Sequence, residues 1–214
     1  AAMQQLLTGH QRLPGFAGKW EVTSLDQVVV RATGFWGVQD CDDNHPRRAE
    51  IIRAGDISPQ GKLTATASRF LSEAEFSKAM CQFDDLVITT SGNGLGKVWY
   101  CDGRANVAAS NFVRVLRPIE TRARGRFLSF VLRSAEGLRQ LQEHTATSAY
   151  PNLRPTFYSA CWILLPSVSE QTAIAEVLSD MDAELAALEQ KRDKTRLLKQ
   201  GMMQELLTGR TRLV

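Results

Sequence analysis

From Ser167 to Val214 the chain contains no proline, and the first residues of that stretch open a helix. Ser167-Val168-Ser169-Glu170, directly after Pro166, places a serine three residues ahead of a glutamate, the pattern in which each side chain satisfies the other's backbone N–H. Apolar residues then recur at Ile174, Leu178, Met181, Leu185 and Leu188, and again at Leu198, Met202 and Leu206. Spacings of four and three alternate through the first five, as in a heptad seam, which Arg192 and Thr195 interrupt. The pattern predicts one helix from about residue 168 to about residue 207, roughly 60 Å long at 1.5 Å per residue. A globule made from the rest of the chain is too small to cover such a seam, so the seam demands a second long helix beside it. Gly201 costs about 1 kcal/mol inside a helix relative to alanine. Close approach of a partner helix or a local kink would account for it. Leu207-Thr208-Gly209 closes the helix, with glycine in the usual C-terminal place.

The chain also repeats its own ends. Residues 3–13 read MQQLLTGHQRL and residues 203–213 read MQELLTGRTRL, identical at eight of eleven positions. A unit of about 200 residues present twice in a longer parent explains the match. A half-size protein that dimerises to restore the pair explains it equally. The Ala-Ala start fits a fragment or a processed chain. Residues 1–12 then read as the end of a preceding helix, residues 13–166 as a globular domain, and residues 167–214 as the long helix and its tail.

Residues 15–166 alternate short β-like runs with loops. WEVTSL, EIIRA, DLVITT, KVWYC, NFVRVL and CWILL are rich in β-branched and aromatic residues, and Gly, Asn, Asp or Pro cluster between them. A second capping box at Ser72–Glu75 predicts a short helix through Met80. Phe127, Val131, Leu138 and Leu141 predict a helix between Arg126 and Glu143, weakened by Gly137. The fold class is therefore mixed α/β (α+β): a globular domain followed by one long coiled-coil-forming helix. No run of 18 apolar residues and no basic-then-apolar leader is present, which predicts an intracellular, cytoplasmic protein without a membrane span.

Catalytic motifs are missing. Ser91-Gly92-Asn93-Gly94-Leu95-Gly96-Lys97 departs from a phosphate-binding loop, which needs Gly at Ser91 and Ser or Thr at Val98. Lys97 also opens a strand-like run rather than a helix. Neither GxSxG nor HExxH occurs. Cys41, Cys81, Cys101 and Cys161 form no CxxC, and Cys41 with His45 lacks further ligands, so reduced thiols and no metal or cofactor are expected. Net charge is +3, with 19 basic against 15 acidic residues in 1–166. Seven of the arginines fall between 114 and 139. A basic body suggests a polyanion partner.

Three segments carry a family resemblance. They are Leu13-Pro14-Gly15-Phe16 through Lys19-Trp20-Glu21, then Asp85–Gly92 with Gly96-Lys97-Val98, and finally Leu165-Pro166, Glu170-Gln171, Ile174-Ala175, Leu178 and Asp182 with the stretch Lys199–Gly209. On these the chain resembles the specificity subunit of type I restriction–modification enzymes. Stretch 22–84 matches only loosely. The resemblance implies two target-recognition domains per full subunit, each followed by a long helix. The helices pack antiparallel as a ruler between two halves of a split DNA site. It implies double-stranded DNA, methylation subunits and a restriction subunit as partners, and no catalytic role. With one domain and one helix, this chain would read one half-site, pairing its helix with a missing half or with a second copy of itself. The seam residues Ile174, Leu178, Met181, Leu185, Leu188, Leu198, Met202 and Leu206 would form that interface.

Base reading needs side chains at groove edges and phosphate contacts that hold register. Loops between strands are the natural place for both. The candidates are Thr90, Ser91 and Asn93 in a glycine-rich turn, and Thr147, Ser148, Tyr150, Asn152 and Arg154 in a segment rich in hydroxyls and donors. Arg53, after a strand-like run, joins them unless it pairs with Asp56. Arg31, Lys97, Arg104 and the arginines at 122, 124 and 126 are candidates for phosphate contact. Two other readings stand beside this one: a coiled-coil interaction module that binds no DNA, and an enzyme.

Overall fold

The computed structural model describes residues 2–33, 39–40, 48–64, 67–70, 80–92, 94–146 and 150–208. The chain divides into two compact units, Ala1–Ala175 and Glu176–Val214. The short helix expected from Ser72, together with Cys41 and His45, lies outside the described residues.

In the first unit a short helix, α1 (Ala2–Leu7), precedes the strands. All six expected β-like runs contain a strand. They are β1 (Glu21–Ser24), β4 (Arg48–Ile52), β6 (Leu86–Thr89), β7 (Val98–Tyr100), β9 (Val113–Pro118) and β12 (Trp162–Leu165). The strands β2 (Val29–Thr33), β3 (Gln39–Asp40), β5 (Ala67–Phe70), β8 (Val107–Ala109), β10 (Thr145–Ala146) and β11 (Asn152–Leu153) were not foreseen. The described strands form two four-stranded sheets, ordered β2-β9-β6-β7 and β3-β5-β4-β8, and two two-stranded antiparallel pairs, β1-β12 and β10-β11.

β6 explains why the sheets stack. Its four residues are all buried, which requires cover on both faces. Side chains alternate along a strand. Val87 therefore faces one way, with its register partners Trp99 and Val115, into a core shared with Ile52, Val107 and Ala109 of the second sheet. Leu86 and Ile88 face the other way, on the side where the helix α2 (Gly125–Arg133) packs against β6 and β7.

Two consecutive carboxylates tie these layers together. Asp84, held at φ +70°, accepts hydrogen bonds from the backbone N–H groups of Gly125 (2.9 Å) and Arg126 (3.2 Å) at the start of α2. That helix has no cap of its own from Arg124, so a remote carboxylate satisfies the orphan donors and the positive end of the helix dipole. A Cβ at Gly125 would sit 1.8 Å from the Asp84 carbonyl oxygen. Asp85 is fully buried and accepts two bonds from Arg117, Nε to Oδ1 at 2.9 Å and Nη2 to Oδ2 at 2.8 Å. The carboxylate also takes the Gln82 N–H at 2.7 Å. The Asp85 bond raises the Arg117 guanidinium pKa further.

The single helix expected over 126–143 is two: α2 ends at Arg133, and α3 spans Ala135–Glu143. Ser134 adopts an extended conformation and caps α3 by accepting from Gly137 N–H at 3.1 Å. Gly137 stands where any Cβ would lie 2.3 Å from the Val131 carbonyl oxygen. The glycine that weakened the prediction thus marks the corner where the second helix folds back on the first.

After the helix α4 (Phe157–Ala160) and β12, the long helix α5 runs over Val168–Leu207, close to the expected bounds. Its first turns belong to the first unit and carry two buried polar side chains. Glu170 accepts from Arg12 Nε (2.5 Å) and Nη2 (2.8 Å) and from the Trp20 indole N–H (3.2 Å). Gln171 donates to the carbonyls of Arg122 and Pro166 and accepts from Arg124 N–H, each at 2.9 Å.

In the second unit α5 continues to Leu207, and the seam is open. Ile174 and Leu178 are buried, whereas Met181, Leu185, Leu188, Leu198, Met202 and Leu206 are exposed. The helix passes through Gly201 unbroken, with nothing within 4 Å of where its Cβ would be.

Asp85→Ala leaves the Gln82 N–H and the Arg117 guanidinium without their acceptor. It should lower stability by about 2–3 kcal/mol, below the range for fully buried pairs because Arg117 keeps some water. Gly125→Ala should cost about 2–3 kcal/mol by overpacking. Urea unfolding of each variant checks both values.

Burial pushes the Cys161 thiol up to about 12 and raises Cys81 and Cys101 as well. The thiolate is the reactive form, and a raised pKa means it is scarce at neutral pH. Iodoacetamide at pH 8 should therefore leave Cys81, Cys101 and Cys161 unmodified in the folded protein and modify all three in urea, as peptide mass mapping would show.

Candidate nucleic-acid interface

The registers place one set of strand ends together. Thr89 is opposite Val113, Ile88 is opposite Val98, and Ile52 is opposite Ala109. The loops that leave from this end therefore meet: Arg53–Asp56 after β4, Thr90–Lys97 between β6 and β7, and Ser110–Phe112 between β8 and β9. Ser110 N–H donates to the Ile52 carbonyl at 3.0 Å and Thr90 N–H to the Phe112 carbonyl at 3.0 Å, which joins the three loops.

The segment 150–154 adds to this edge although it is distant in sequence. Ser91 forms an antiparallel bridge with Asn152. Gly92 N–H donates to the Pro151 carbonyl at 2.9 Å and Leu153 N–H to the Thr90 carbonyl at 2.8 Å. Gly92 has φ +78°, and its missing Cβ would stand 3.2 Å from the Tyr150 hydroxyl. A side chain there would be strained and would push the tyrosine away.

Together these loops enclose an open cleft of about 470 Å³. Ala54, Gly55, Ser91, Gly92, Gly94, Lys97 and Tyr150 line it. Thr89 Oγ1 bonds the Gly94 carbonyl and accepts from Lys97 N–H at 2.9 Å, so the turn carrying the lysine is fastened to the buried strand. Glycine walls let a ligand's backbone approach closely, and a half-buried ammonium with an exposed aromatic ring suits a phosphate next to a base or sugar.

The sequence-derived residues fall into three groups. Thr90, Ser91, Lys97, Tyr150 and Asn152 come together at the cleft, with Arg53 on the loop that supplies Ala54 and Gly55. Ser91 is buried and Thr90 Oγ1 donates to the Phe112 carbonyl at 3.1 Å, so both act through the backbone they hold. Asn152 is exposed, and its amide donates to the Tyr150 carbonyl at 3.0 Å. Arg53 is exposed, and the Asp56 carboxylate takes its backbone N–H at 2.8 Å. Arg154 is exposed beside the β10-β11 pair, its N–H donating to the His144 carbonyl at 2.9 Å. Arg31, exposed on edge strand β2, lays its guanidinium 4.6 Å from the Tyr158 ring centroid.

Arg104 stands apart. It pairs with Glu50 at 2.6 Å, in the middle of β4 and opposite Val107 at the start of β8. The arginines at 122, 124 and 126 serve the fold: Arg122 pairs with Glu21, Arg124 donates to the Glu120 carbonyl, and Arg126 lies over Tyr100 and Phe130. Asn93, Thr147 and Ser148 lie outside the described residues. Among the described residues no group of three or more His, Cys, Asp or Glu side chains is placed to hold a metal. None of the described helices is long and apolar enough to cross a membrane.

Sequence reasoning missed Gly55 and the loop at Ser110–Phe112. Ser110 Oγ and Asn111 Nδ2 are buried without a partner among the described residues, and Phe112 is 40% exposed. The strand-like run NFVRVL hid this loop, because β9 begins two residues later than the run does.

Comparison with known proteins agrees with this architecture. The family described as "Type I restriction modification DNA specificity domain" matches residues 17–197. A chain from a structural study of complex assembly and conformational transition of the type I R-M system superposes with a TM-score of 0.65 at 15% identity, over 95% of this chain and 50% of that one. The S subunit of a type I restriction–modification system from M. genitalium gives 0.55 at 17% identity, over 90% and 47%. The HsdS subunit from Thermoanaerobacter tengcongensis gives 0.57 at 15% identity, over 95% and 49%. This chain thus spans about half the length of these structures, and at such identities the likeness is one of fold. No curated protein sequence matches the chain.

Proposed function

The chain belongs to the type I restriction modification DNA specificity domain family, and we propose that it is a non-catalytic, cytoplasmic specificity unit that reads one half of a split duplex DNA site. The convergence of the loops at 53–56, 90–97 and 150–154 on one glycine-walled cleft carries this reading. Reading bases demands several independent donors fixed in one register, and a joined set of loops on a buried sheet supplies that rigidity.

In this role Lys97 and Arg154 contact phosphates, Arg53 and Asn152 present donors to base edges, and Tyr150 packs on the sugar or base. Arginine suits guanine and asparagine suits adenine in the major groove. Arg31, held over Tyr158, extends the basic surface along β2. The open seam of α5 serves protein partners. The exposed residues from Met181 to Leu206 cover a second long helix, either from a missing half or from another copy, and the paired helices dock methylation subunits. A restriction subunit joins through the assembled complex. The apolar seam favours such pairing, because so many exposed leucines and methionines along one helix are costly to leave in water.

Selection from a random duplex pool should recover a short motif for the full chain, with affinity falling as salt rises. Each phosphate contact contributes about 0.9 to the slope of log K against log salt. Lys97→Ala and Arg154→Ala should each lower that slope by about one, while Arg104→Ala leaves it unchanged. Asn152→Ala should relax the motif at one position. No enrichment at all would leave the coiled-coil interaction reading in its place, and affinity without any salt dependence would remove the phosphate contacts assigned to Lys97 and Arg154.

Light scattering on the full chain should give a dimer, and Leu185→Lys with Leu188→Lys should return it to the monomer mass. A wild-type monomer with an intact helical circular dichroism signal would contradict pairing of the seam.

A further inference from the structure

The repeated end segments have different environments, and the difference is informative. In the first copy Leu6 and Leu7 are 5% and 7% exposed. Gly9, at φ +71°, lies against Trp20, whose ring is 3.5 Å from the missing Cβ. Arg12 grips Glu170 with two hydrogen bonds and stacks 5.4 Å from the Trp20 ring centroid. Each of these four positions is identical in the second copy, as Leu206, Leu207, Gly209 and Arg212. The three positions that differ, Gln5, His10 and Gln11, are all exposed in the first copy. The positions that are buried or that meet Trp20 and Glu170 in the first copy are thus all kept in the second.

The local structure is repeated as well. Thr8 Oγ1 donates to the Gln4 carbonyl at 2.7 Å, and Thr208 Oγ1 donates to the Gln204 carbonyl at 2.7 Å. Both helices end on the same threonine closure. Yet in the second copy Leu206 and Leu207 are 39% and 83% exposed. Gly209–Leu213 lie outside the described residues.

We propose that residues 203–213 are a docking segment for the surface built by Trp20 and Glu170, and that in a second copy of this chain they can replace residues 3–13 there. The receptor is specific in its chemistry. It offers a buried carboxylate that takes a bidentate guanidinium, an indole that packs on a glycine in the left-handed conformation, and an apolar cavity lined by Leu7, Gly137 and Cys161–Leu164. Lysine could not supply the two parallel bonds. A covalently attached first copy holds the site by its high effective concentration, so exchange becomes visible when that copy is weakened. The inference is independent of DNA binding.

The test uses a fluorescent peptide of residues 201–214 and the full chain. Anisotropy should show binding to the Arg12→Ala chain at least tenfold tighter than to the unaltered chain. Arg212→Ala in the peptide should remove that gain. Equal binding by the two peptides, or no difference between the two chains, overturns the proposal. A second measurement needs no weakened site: a benzophenone at position 210 of the full chain, whose counterpart His10 is exposed, should crosslink between chains to residues near Trp20 and Glu170. Interchain crosslinks spread without preference, or absent at concentrations well above those of the dimer, overturn it too.

Discussion

Asp84 and Asp85 are neighbours that do opposite work, and the first unit is organised around their divergence. The left-handed backbone at Asp84 turns its carboxylate to the start of α2, while Asp85 points inward to Arg117 on β9. One residue later β6 begins, buried on both faces. The helix, the central strand and its neighbour are therefore indexed to two adjacent positions in the chain. Any movement of β6 along its axis would break an ion pair and uncap a helix together. The loop that follows β6 carries Thr90, Ser91 and Gly92, so the cleft inherits its precision from groups at the far end of the strand.

The same logic recurs at the base of α5. A buried glutamate and a buried glutamine are costly unless every polar atom is satisfied. Here the glutamate is answered by Arg12 and Trp20 and the glutamine by three backbone groups. Buried polar pairs of this kind define one arrangement among the many that apolar packing alone would accept. The first turns of the long helix are thus set both by residues near the N-terminus, Arg12 and Trp20, and by the backbone at Arg122, Arg124 and Pro166.

What could be read in advance followed from local periodicity. The long helix was legible almost to the residue because its start signal and its apolar period lie within one segment, although only Ser167 caps it as expected, while Glu170 turns to Arg12 and Trp20 instead of the Ser167 N–H. Strands with β-branched runs were legible for the same reason. The short strands β8 and β11 were not, since three or two residues carry no period. The break at Ser134 was hidden because both halves of the interrupted helix present apolar faces at helical spacing. At the cleft, the loops at 90–97 and 150–154 could be named from composition, but their union could not. It depends on backbone bonds between Gly92 and Pro151 and between Thr90 and Leu153, which no side chain announces. Arg104 looked like its neighbours in sequence and was separated from them only by the direction of β7.

The pairing of β1 with β12 has a consequence for how such a unit can change. Glu21 is the register partner of Leu165 and Ser24 of Trp162, so the chain enters and leaves the sheets of the first unit at a single seam. Everything between is a closed excursion whose ends are already hydrogen-bonded to each other. Segments with adjoining ends tolerate replacement well. A different excursion with the same two border strands would present new loops while the parts outside the seam stayed as they are. The border between the replaceable part and the rest of the chain is four residue pairs wide.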